Sequence, residues 1–394
     1  MVTPPRQGAR ATGIATPAAA YHASVDELKL LQSLCAVPTA PFAESAVMKF
    51  VTDRVRKRSG LKLRTDRDGN LLIERAGTKN LPRTVMVAHM DHPGFVAREM
   101  IDSRTLKASF YGYVLPAFFP GAKVRFFDTE GETTATVESF TTADNGRADL
   151  AILRVRRAVA PGSVGMWDLG TPRIKGQKFH CRVCDDLAGA AAGFAVMERL
   201  SRKRLKAPVA LLLTRAEEAA FIGAIASVKN KQLLKKDDRI ISIECSAEQP
   251  YAKQADGMVL RTGDRTSIFN SAYTRFLSQR AEALVKADKS FKFQRALMPG
   301  GTCEATVFDA FGYTAAAVCI PLGNYHNMNT ATGKLAAEYV DLRDWKNLVT
   351  LLTDVCTNGH AFSGNHAELQ KRLSDLHARF ATLLVPSPGT PGEG

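Results

Sequence analysis

The sequence predicts an α/β fold in which a mostly parallel sheet is sandwiched by helices and interrupted by an inserted small all-β domain. Helical and strand-like patterns alternate with short connections over residues 187–384, and a shorter alternation covers residues 25–88. Between residues 105 and 175 the helical pattern disappears, and short strand-like segments follow one another. Alternating helices and strands are typical of parallel sheets covered on both faces, whereas a series of short strands is typical of a separate β module.

The predicted domains follow from these changes of pattern. Residues 25–104 and 176–385 form one discontinuous α/β domain, and residues 105–175 form a β-barrel-like insertion within it. Residues 1–24 and 386–394 are predicted to be flexible tails, the second because its Pro and Gly residues cannot pack. The N-terminal tail has no continuous apolar segment of the kind found in secretory signals, and an organelle-targeting segment is the alternative.

The first α/β segment begins with two helices and a hairpin. Apolar residues recur at helical spacing over residues 25–58, with a turn signal at residues 37–41 between the two helices. Residues 61–75 alternate as a hairpin, and its turn consists of Asp68, Gly69 and Asn70. The apolar run at residues 84–88 predicts a short buried strand that ends at His89.

The second α/β segment continues the alternation. Helices are predicted at residues 187–202, 220–235, 271–285, 304–311, 342–356 and 367–384, and strands at residues 209–214, 240–244, 291–295 and 314–320. Strand-like segments of the insertion lie at residues 124–127, 133–139 and 149–155. No Gly-rich phosphate loop stands at a strand-to-helix junction, so nucleotide-dependent chemistry has no support.

The composition is that of a globular protein without a membrane or nucleic-acid partner. Of its 394 residues, 45% are hydrophobic and 23% are charged. No apolar run approaches the roughly 18 residues that would span a bilayer. The net charge is +14, but the basic clusters are scattered and mostly lack the interleaved aromatic residues that stack on nucleic-acid bases.

The cysteines indicate a reducing compartment, and we therefore expect a cytoplasmic protein. Their number is seven, which is odd, and they are spread over a long chain. Cys181 and Cys184 form a C-x-x-C pair. A structural zinc site normally needs a second such pair, which is missing, and a redox role is the remaining alternative.

Five separate segments each place a carboxylate or an imidazole just beyond a predicted strand. They are His89-Met90-Asp91, Asp185-Asp186, Glu217-Glu218, Glu244 and His326. In parallel α/β sheets, ligands bind outside the carboxyl ends of the strands. We therefore expect these segments, although far apart in sequence, to converge on one crevice.

Each segment alone also has an ordinary structural explanation. A strand-end histidine such as His89 is often a hydrogen-bonded core residue, and Asp185-Asp186 or Glu217-Glu218 could simply open a helix. Glu244 is harder to explain in this way, because it ends an apolar strand where an unpaired carboxylate would be costly. The occurrence of all five segments together favours a shared functional site over five separate structural roles.

The set of motifs resembles the dinuclear metallo-aminopeptidases, and most closely the branch of tetrahedral glutamyl, leucyl and deblocking aminopeptidases. The resemblance rests on the sequences AHMDHPGF, CDDLAGA, AEEAAFIGA, ISIEC and LGNYHN, together with the Gly-Gly-Thr segment PGGTCEA. It extends in unbroken order from about residue 26 to residue 384. The resemblance implies a metal-dependent aminopeptidase, with a β module between His89 and Asp185 that makes contacts between subunits in a homo-oligomer, from a dimer to a dodecamer.

The same resemblance implies a role for each candidate residue. Asp185 bridges two divalent metal ions, His89 and Glu244 complete one metal site, and Glu218 and His326 complete the other. Glu217 is the general base that takes a proton from the attacking water, and Asp91 orients His89. Two ions at such a site share a water and lower its pKa, and carboxylate and imidazole ligands suit Zn, Co or Mn.

Several positions depart from the family pattern, and two other functions stay open. Glu244 replaces the usual Asp, His92-Pro93 replaces an acidic residue, and Gly323-Asn324 replaces an Arg; Cys184, Cys245 and Cys303 all adjoin the candidate site. These departures bear on substrate specificity and leave the set of predicted metal ligands complete. We expect the substrate to be a peptide or a small amide. The alternatives are a related amidohydrolase or deacylase that acts on N-acylated amino acids, and a non-catalytic binding protein on the same fold.

Overall fold

A computed structural model describes residues 24–78, 80–364 and 366–384. Both predicted tails lie outside these residues, except for Ser24, whose side chain caps the first helix. The α-helices in the described part of the chain are α1 (Val25–Cys35), α2 (Ser45–Arg56), α3 (Leu187–Leu200), α4 (Ile222–Asn230), α5 (Ser271–Ala287), α6 (Glu304–Ala310), α7 (Leu342–Asn358) and α8 (Ala367–Phe380). None of these helices has the length and apolar character needed to cross a membrane.

The strands fall into a large sheet, a closed barrel and a small hairpin. In chain order they are β1 (Lys62–Thr65), β2 (Leu71–Arg75), β3 (Thr84–His89), β4 (Gly94–Met100), β5 (Thr105–Tyr111), β6 (Lys123–Asp128), β7 (Gly131–Thr142), β8 (Ala148–Val155), β9 (Val164–Trp167), β10 (Arg173–Lys175), β11 (Lys178–Cys181), β12 (Val209–Thr214), β13 (Arg239–Ala247), β14 (Met258–Gly263), β15 (Phe293–Leu297), β16 (Thr314–Gly323), β17 (Met328–Asn329), β18 (Lys334–Leu335) and β19 (Glu338–Asp341).

The large sheet is mixed, which corrects the expectation of a mostly parallel sheet. Its order is β1-β2-β12-β3-β13-β16-β19-β11-β10, and β14 pairs with both β15 and β16. Strands β12, β3, β13 and β16 are parallel neighbours, and β15 is parallel to β14. The pairing of β14 with β16 and the pairings toward both ends of the strand order are antiparallel. The repeating helix and strand pattern therefore describes the centre of the sheet. The short edge strands β10, β11 and β19 carry too little pattern to be recognised in the sequence.

Helices cover the central strands on both faces. Along β2 and β12, alternate side chains point to opposite faces, as the two-residue period of a strand requires. Leu71, Ile73 and Leu211 pack with α1, α3 and α7, whereas Leu72 and Leu212 pack with α4 and α6 on the other face. Both faces of the central strands are thus buried, which explains their nearly continuous apolar sequences.

Strands β4–β9 form a closed barrel between β3 and the β10-β11 hairpin. The order around the barrel is β4-β5-β8-β7-β6-β9. The pairing of β4 with β5 and β9 places Gly94–Met100 in the barrel, whereas the sequence pattern assigned residues up to 104 to the α/β domain. The barrel ends at Trp167, and the following residues pair with the large sheet instead.

Helix α4 is shorter than the sequence predicted, for a local reason. Ala216, Ala220 and Phe221 have φ values of 49°, 75° and 61°, which are incompatible with a right-handed helix, so the helix begins only at Ile222. It ends at Asn230, and the next residue, Lys231, is also left-handed. The segment that carries Glu217 and Glu218 is therefore an irregular loop between β12 and α4.

Candidate metal centre

The carboxyl ends of the parallel strands bring all five sequence segments together. His89 is the last residue of β3, Glu217 and Glu218 follow β12, Glu244 lies in the second half of β13, and His326 follows β16. Asp185 lies between β11 and α3, and its peptide bond to Asp186 is cis. Parallel strands point the same way, so their ends meet at one edge of the sheet.

Asp185 lies between two imidazoles. Its Oδ1 atom is 3.4 Å from Nε2 of His89, and its Oδ2 atom is 3.7 Å from Nε2 of His326. Each carboxylate oxygen thus faces a different histidine. The Oδ1 atom is buried and has no hydrogen-bond partner among the described residues.

Potential ligand atoms form two groups that share Asp185. His89, Asp185 and Glu244 offer three such atoms within 4.8 Å of one another, and so do Asp185, Glu218 and His326. These are the two ligand sets that the resemblance implied. A third group, His89 with Glu217 and Glu218, was not expected, and it adds Glu217 to the residues whose potential ligand atoms lie within 4.8 Å of one another.

Hydrogen bonds to backbone carbonyls orient both histidines. Nδ1 of His326 donates to the carbonyl oxygen of Tyr113 at 2.6 Å, and Nδ1 of His89 is 3.2 Å from the carbonyl oxygen of Asp91. A carbonyl oxygen can only accept, so the proton of each ring lies on Nδ1. Nε2 of each ring is then the nitrogen available to a metal ion, and it is directed at the carboxylates.

Asp91 holds the loop of the two glutamates in place. Its carboxylate accepts hydrogen bonds from the backbone N–H groups of Glu217 and Glu218, both at 3.0 Å. The same carboxylate is 3.4 Å from Nδ1 of His89. Glu44 supports the loop from the other side by accepting the N–H of Ala216 at 2.9 Å.

Glu338 is a residue that the sequence did not reveal. Its Oε2 atom accepts the N–H groups of Cys184 and Asp185, at 2.7 and 3.0 Å, and its Oε1 atom accepts the N–H of His326 at 2.8 Å. One buried carboxylate therefore fixes the backbone of residues from both ligand groups. It lies on the short strand β19, where no sequence pattern marked it.

His92 provides a second connection. Its Nδ1 donates to the carbonyl oxygen of Asp185 at 2.6 Å, and its Nε2 is 3.0 Å from Oδ1 of Asn327. Asn327 in turn donates to the carbonyl oxygen of Arg182 at 2.9 Å. The residue that departs from the family pattern after His89 and Asp91 is therefore built into the support of Asp185.

The electrostatics of the site are dominated by burial and by the close acids. Burial opposes protonation of His89 and His326, but the neighbouring carboxylates, Glu217 for the first and Glu218 for the second, raise the pKa of each imidazole well above its usual value. Burial would raise the pKa of Asp185, yet its contacts with both histidines lower it. Burial raises the pKa of Glu217, and it raises that of Glu244 to about 7. Such crowded acids need a positive charge among them.

A cleft opens over these residues. It is lined by His89, Asp185, Glu217, Glu218, Glu244, Cys245, Ser246, Ala247, Gln249, Arg261, Met298, Gly300, Gly301, Thr302, Cys303 and Tyr325. Tyr325 stacks on His326 with the ring centroids 3.7 Å apart. The seven cysteines are unbonded and buried. Cys245 and Cys303 line the cleft, and Cys184 lies directly before Asp185.

The donor set fits divalent cations. Carboxylates and neutral imidazoles are the ligands of Zn, Co and Mn sites, and both ligand groups contain each type. The buried Oδ1 atom of Asp185, which lacks a hydrogen-bond partner, gains one interaction if a cation lies between it and His89. The residues present therefore fit metal binding.

Comparisons with known proteins agree with this geometry. The sequence model of the M42 glutamyl aminopeptidase family matches residues 153–351, half of the chain. A comparison with curated proteins found no match.

Solved structures of other proteins share the fold at low sequence identity. An aminopeptidase from the archaeon Desulfurococcus kamchatkensis is 20% identical with a TM-score of 0.70, and the match covers 84% of this chain and 94% of that chain. The TET aminopeptidase of a Thaumarchaeota archaeon is 17% identical with a TM-score of 0.71 and 84% and 97% coverage. The Pyrococcus horikoshii TET1 peptidase is 17% identical with a TM-score of 0.68 and 84% and 99% coverage. By its match to the family model, the chain belongs to the M42 glutamyl aminopeptidase family and is a metal-dependent aminopeptidase.

Proposed function

We propose that this aminopeptidase removes N-terminal residues from peptides with a water activated between two divalent metal ions, and that Glu217 is the general base. The observation that supports two ions rather than one is the position of Asp185. It presents one oxygen to His89 and the other to His326, and it belongs to two separate ligand groups.

The ligands of the two ions follow from those groups. His89, Asp185 and Glu244 would hold one ion, and Asp185, Glu218 and His326 the other. When bound, two such ions lower the pKa of a shared water and polarise the substrate carbonyl. The three carboxylates Asp185, Glu218 and Glu244 offset most of the ions' positive charge. Zn, Co and Mn all suit these donors.

Glu217 is suited to move a proton at this site. Its side chain is buried in the cleft wall, with Oε2 3.9 Å from Nε2 of His89, and its backbone is fixed by Asp91. Burial raises the pKa of its carboxyl group, which favours accepting a proton near neutral pH. Glu217 would take the proton of the attacking water at a carboxylate oxygen and pass it to the leaving amine.

Asp91 is a positioning residue in this proposal. It contacts His89 through Nδ1 and fixes the N–H groups of both glutamates. It thereby sets the direction of one ligand imidazole and the relative positions of a ligand and the base. Such supporting carboxylates raise the basicity of a ligand histidine and fix its tautomer.

Organisation and location belong to the same proposal. The α/β part is the catalytic domain, and the barrel is an inserted domain that makes contacts between subunits. The Pyrococcus horikoshii TET1 peptidase can assemble into a tetrahedron or a large octahedral shell, and we propose that this chain also forms a homo-oligomer. The seven cysteines without an evident disulfide framework support a cytoplasmic location.

The decisive experiment combines the metals with a base variant. Protein treated with a chelator should lose hydrolysis of free aminoacyl substrates, and Zn, Co or Mn should restore it. Glu217→Gln should still bind metal but turn over about 10²- to 10⁴-fold more slowly, because the amide cannot accept the proton. Elemental analysis and steady-state kinetics on the same samples measure both effects.

Two results would contradict the proposal. Hydrolysis that survives thorough chelation would reject the metal mechanism, and near-normal turnover by the metal-loaded Glu217→Gln variant would remove Glu217 as the base. N-blocked substrates serve as the specificity control. Faster hydrolysis of these than of their free-amine counterparts would favour the deacylase alternative.

A further inference from the structure

The first cysteine of the C-x-x-C pair, Cys181, contacts a third cysteine that is remote in sequence. Its Sγ atom donates a hydrogen bond to the carbonyl oxygen of Cys35 at 2.9 Å, although the two residues are 146 positions apart. The thiol of Cys35 in turn hydrogen-bonds to the sulfur of Cys181. Cys35 is the last residue of α1 and Cys181 the last residue of β11, so two separate elements meet at these two thiols.

The two thiols are buried, and one of them behaves as a buried thiol ordinarily does. Cys35 and Cys181 are each 1% exposed and belong to the main hydrophobic core. Such thiols are generally inert, because burial disfavours the thiolate, which is the reactive form. Burial, together with the contact to Cys181, raises the pKa of Cys35 well above its usual value. Cys35 therefore keeps its proton.

Cys181 departs from this behaviour. Burial opposes ionisation of its thiol, but the hydrogen bond with Cys35, the backbone N–H of Val183 and the nearby guanidinium of Arg182 together lower its pKa below the usual value. One cysteine of the two is thus suited to attack as a thiolate, and the other holds a proton beside it. Redox-active cysteines show this division between an attacking thiol and a resolving thiol.

Arg182 provides a buried positive charge next to Cys181. It is 7% exposed, its guanidinium lies 5.1 Å from the centre of the Phe127 ring, and Nη2 donates to the carbonyl oxygen of Ala36 at 3.3 Å. Its buried Nε atom has no hydrogen-bond partner among the residues that the structure describes. A buried donor without a partner is costly, and an anionic sulfur at Cys181 reduces that cost.

We propose that Cys35 and Cys181 form a redox site, which hydrogen peroxide or another oxidant of similar size converts to a disulfide. The thiolate of Cys181 attacks one peroxide oxygen, so that an S–O bond forms and the O–O bond breaks. The hydroxide that leaves combines with the proton released by Cys181. The sulfur of Cys35 then attacks Cys181, an S–S bond forms, and the S–O bond breaks. The second hydroxide leaves with the proton of Cys35, so two thiols are oxidised and one peroxide is reduced to two waters.

The disulfide would join α1 to the segment that leads to the metal centre. Cys181 lies four residues before Asp185, and the carbonyl oxygen of the intervening Arg182 accepts a hydrogen bond from Asn327. A bond between residues 146 positions apart constrains the unfolded chain strongly and should stabilise the fold. Neither Cys35 nor Cys181 lines the cleft, so the site does not depend on the proposed function.

Mapping the bond tests the proposal directly. Zinc-loaded protein, whose metal has no redox chemistry, is treated with dilute hydrogen peroxide, alkylated in denaturant, digested and analysed by mass spectrometry. We expect a cross-link between the Cys35 and Cys181 peptides, and the seven free cysteines should fall by two. Dithiothreitol should restore all of them. The oxidised protein should unfold about 5 °C higher than the reduced protein.

Variants assign the bond and its activation. Cys35→Ala should abolish both the cross-link and the rise in unfolding temperature, and should leave Cys181 as a sulfenic acid that dimedone traps. Cys356→Ala is the matched control, because it removes another fully buried cysteine, on α7, and should keep both effects. Arg182→Met should slow formation of the cross-link about 3- to 10-fold, because less thiolate is present.

The second cysteine of the motif offers the competing outcome. Cys184→Ala should leave the Cys35–Cys181 cross-link intact. A bond between Cys181 and Cys184, or the absence of any disulfide after treatment with peroxide, would overturn the proposal. If Cys35→Ala proves too unstable to purify, the cross-link map of the wild-type protein decides between these outcomes.

Discussion

The interior of the barrel and the carboxyl ends of the central strands are both buried, but their contents are opposite. The barrel core is aromatic: Phe95 and Trp167 meet edge to face with centroids 4.9 Å apart, and Phe110 and Phe119 meet in the same way at 4.9 Å. Between Gly94 and Trp167, all of which the structure describes, no charged residue is buried. The strand ends bury histidines and acids instead: His89, Asp91, His92, Asp185, Asp186, Glu217, Glu244, Glu304, His326 and Glu338.

This contrast separates stability from chemistry. Removing aromatic surface from water stabilises the fold, whereas burying crowded carboxylates opposes it. A variant in the barrel should therefore affect folding more than catalysis, and a variant at the strand ends should do the reverse. If the two regions are independent, a variant in one should leave the main property of the other unchanged.

The largest effect is expected from Asp185→Ala. Losing the ligand shared by both groups should deplete bound metal and reduce kcat/KM by about three decades or more. The unfolding temperature of the chelator-treated variant should be lower than that of chelator-treated wild-type protein, because His89 and His326 lose the buried carboxylate that lies between them. Elemental analysis, kinetics and thermal unfolding measure the three quantities. Full metal content in the variant would show that Asp185 does not bridge two ions.

The barrel offers the converse test in Phe126→Ala. Phe126 is fully buried, and its ring lies so close to Gly165 that a Cβ atom on that glycine would be 2.6 Å from it. Truncation should lower the free energy of unfolding by about 3–5 kcal/mol through lost burial and a cavity. The protein that remains folded should keep its metal content and its KM. A variant that folds normally but loses metal would break the separation of the two regions.

The sequence revealed the strand ends better than what supports them. His89, Glu244 and the glutamate pair each follow an apolar run that marks a strand, so their position at a sheet edge could be predicted. The contacts of Glu338 and the place of Arg261 in the cleft could not be predicted, because they depend on which strands become neighbours. Strand β19 is only four residues long, and β14 has no helix before it to mark a repeating unit.

The fold shows the same limit. The centre of the sheet follows from helix and strand alternation, since each repeated unit buries its own apolar face. The antiparallel edges and the inclusion of Gly94–Met100 in the barrel depend on hydrogen bonding between strands. The local sequence pattern does not show which strands pair. The predicted length of helix α4 was too great, because Ala220 and Phe221 adopt left-handed conformations that are unusual for these residue types.

The smallest expected effect is a difference in how the stability of the two regions depends on pH. Glu304 is fully buried at the start of α6, and neither of its carboxyl oxygens has a hydrogen-bond partner among the described residues. Burial raises its pKa to about 8, far above the ordinary value for glutamate. In chelator-treated protein its contribution to stability is therefore present below about pH 4 and is lost as the pH rises through 8. Glu304→Gln should raise the free energy of unfolding of chelator-treated protein, relative to wild type, by about 2–3 kcal/mol more at pH 8 than at pH 5. Denaturant unfolding at the two pH values measures this difference.

Asp128 in the barrel is the control with the opposite sign. Its hydrogen bonds with Arg157 hold its pKa below the usual value, so the stability it contributes is present at neutral pH and is lost as the pH falls. Asp128→Asn should therefore lower the free energy of unfolding at neutral pH, and this loss should become smaller at acid pH. Glu304→Gln should raise the free energy of unfolding at pH 8, and this gain should become smaller at pH 5. If both variants shifted the unfolding profile in the same direction, burial without partners would not be what distinguishes the strand ends from the barrel. The acids at the strand ends would then owe their pKa values to something other than the packing that surrounds them.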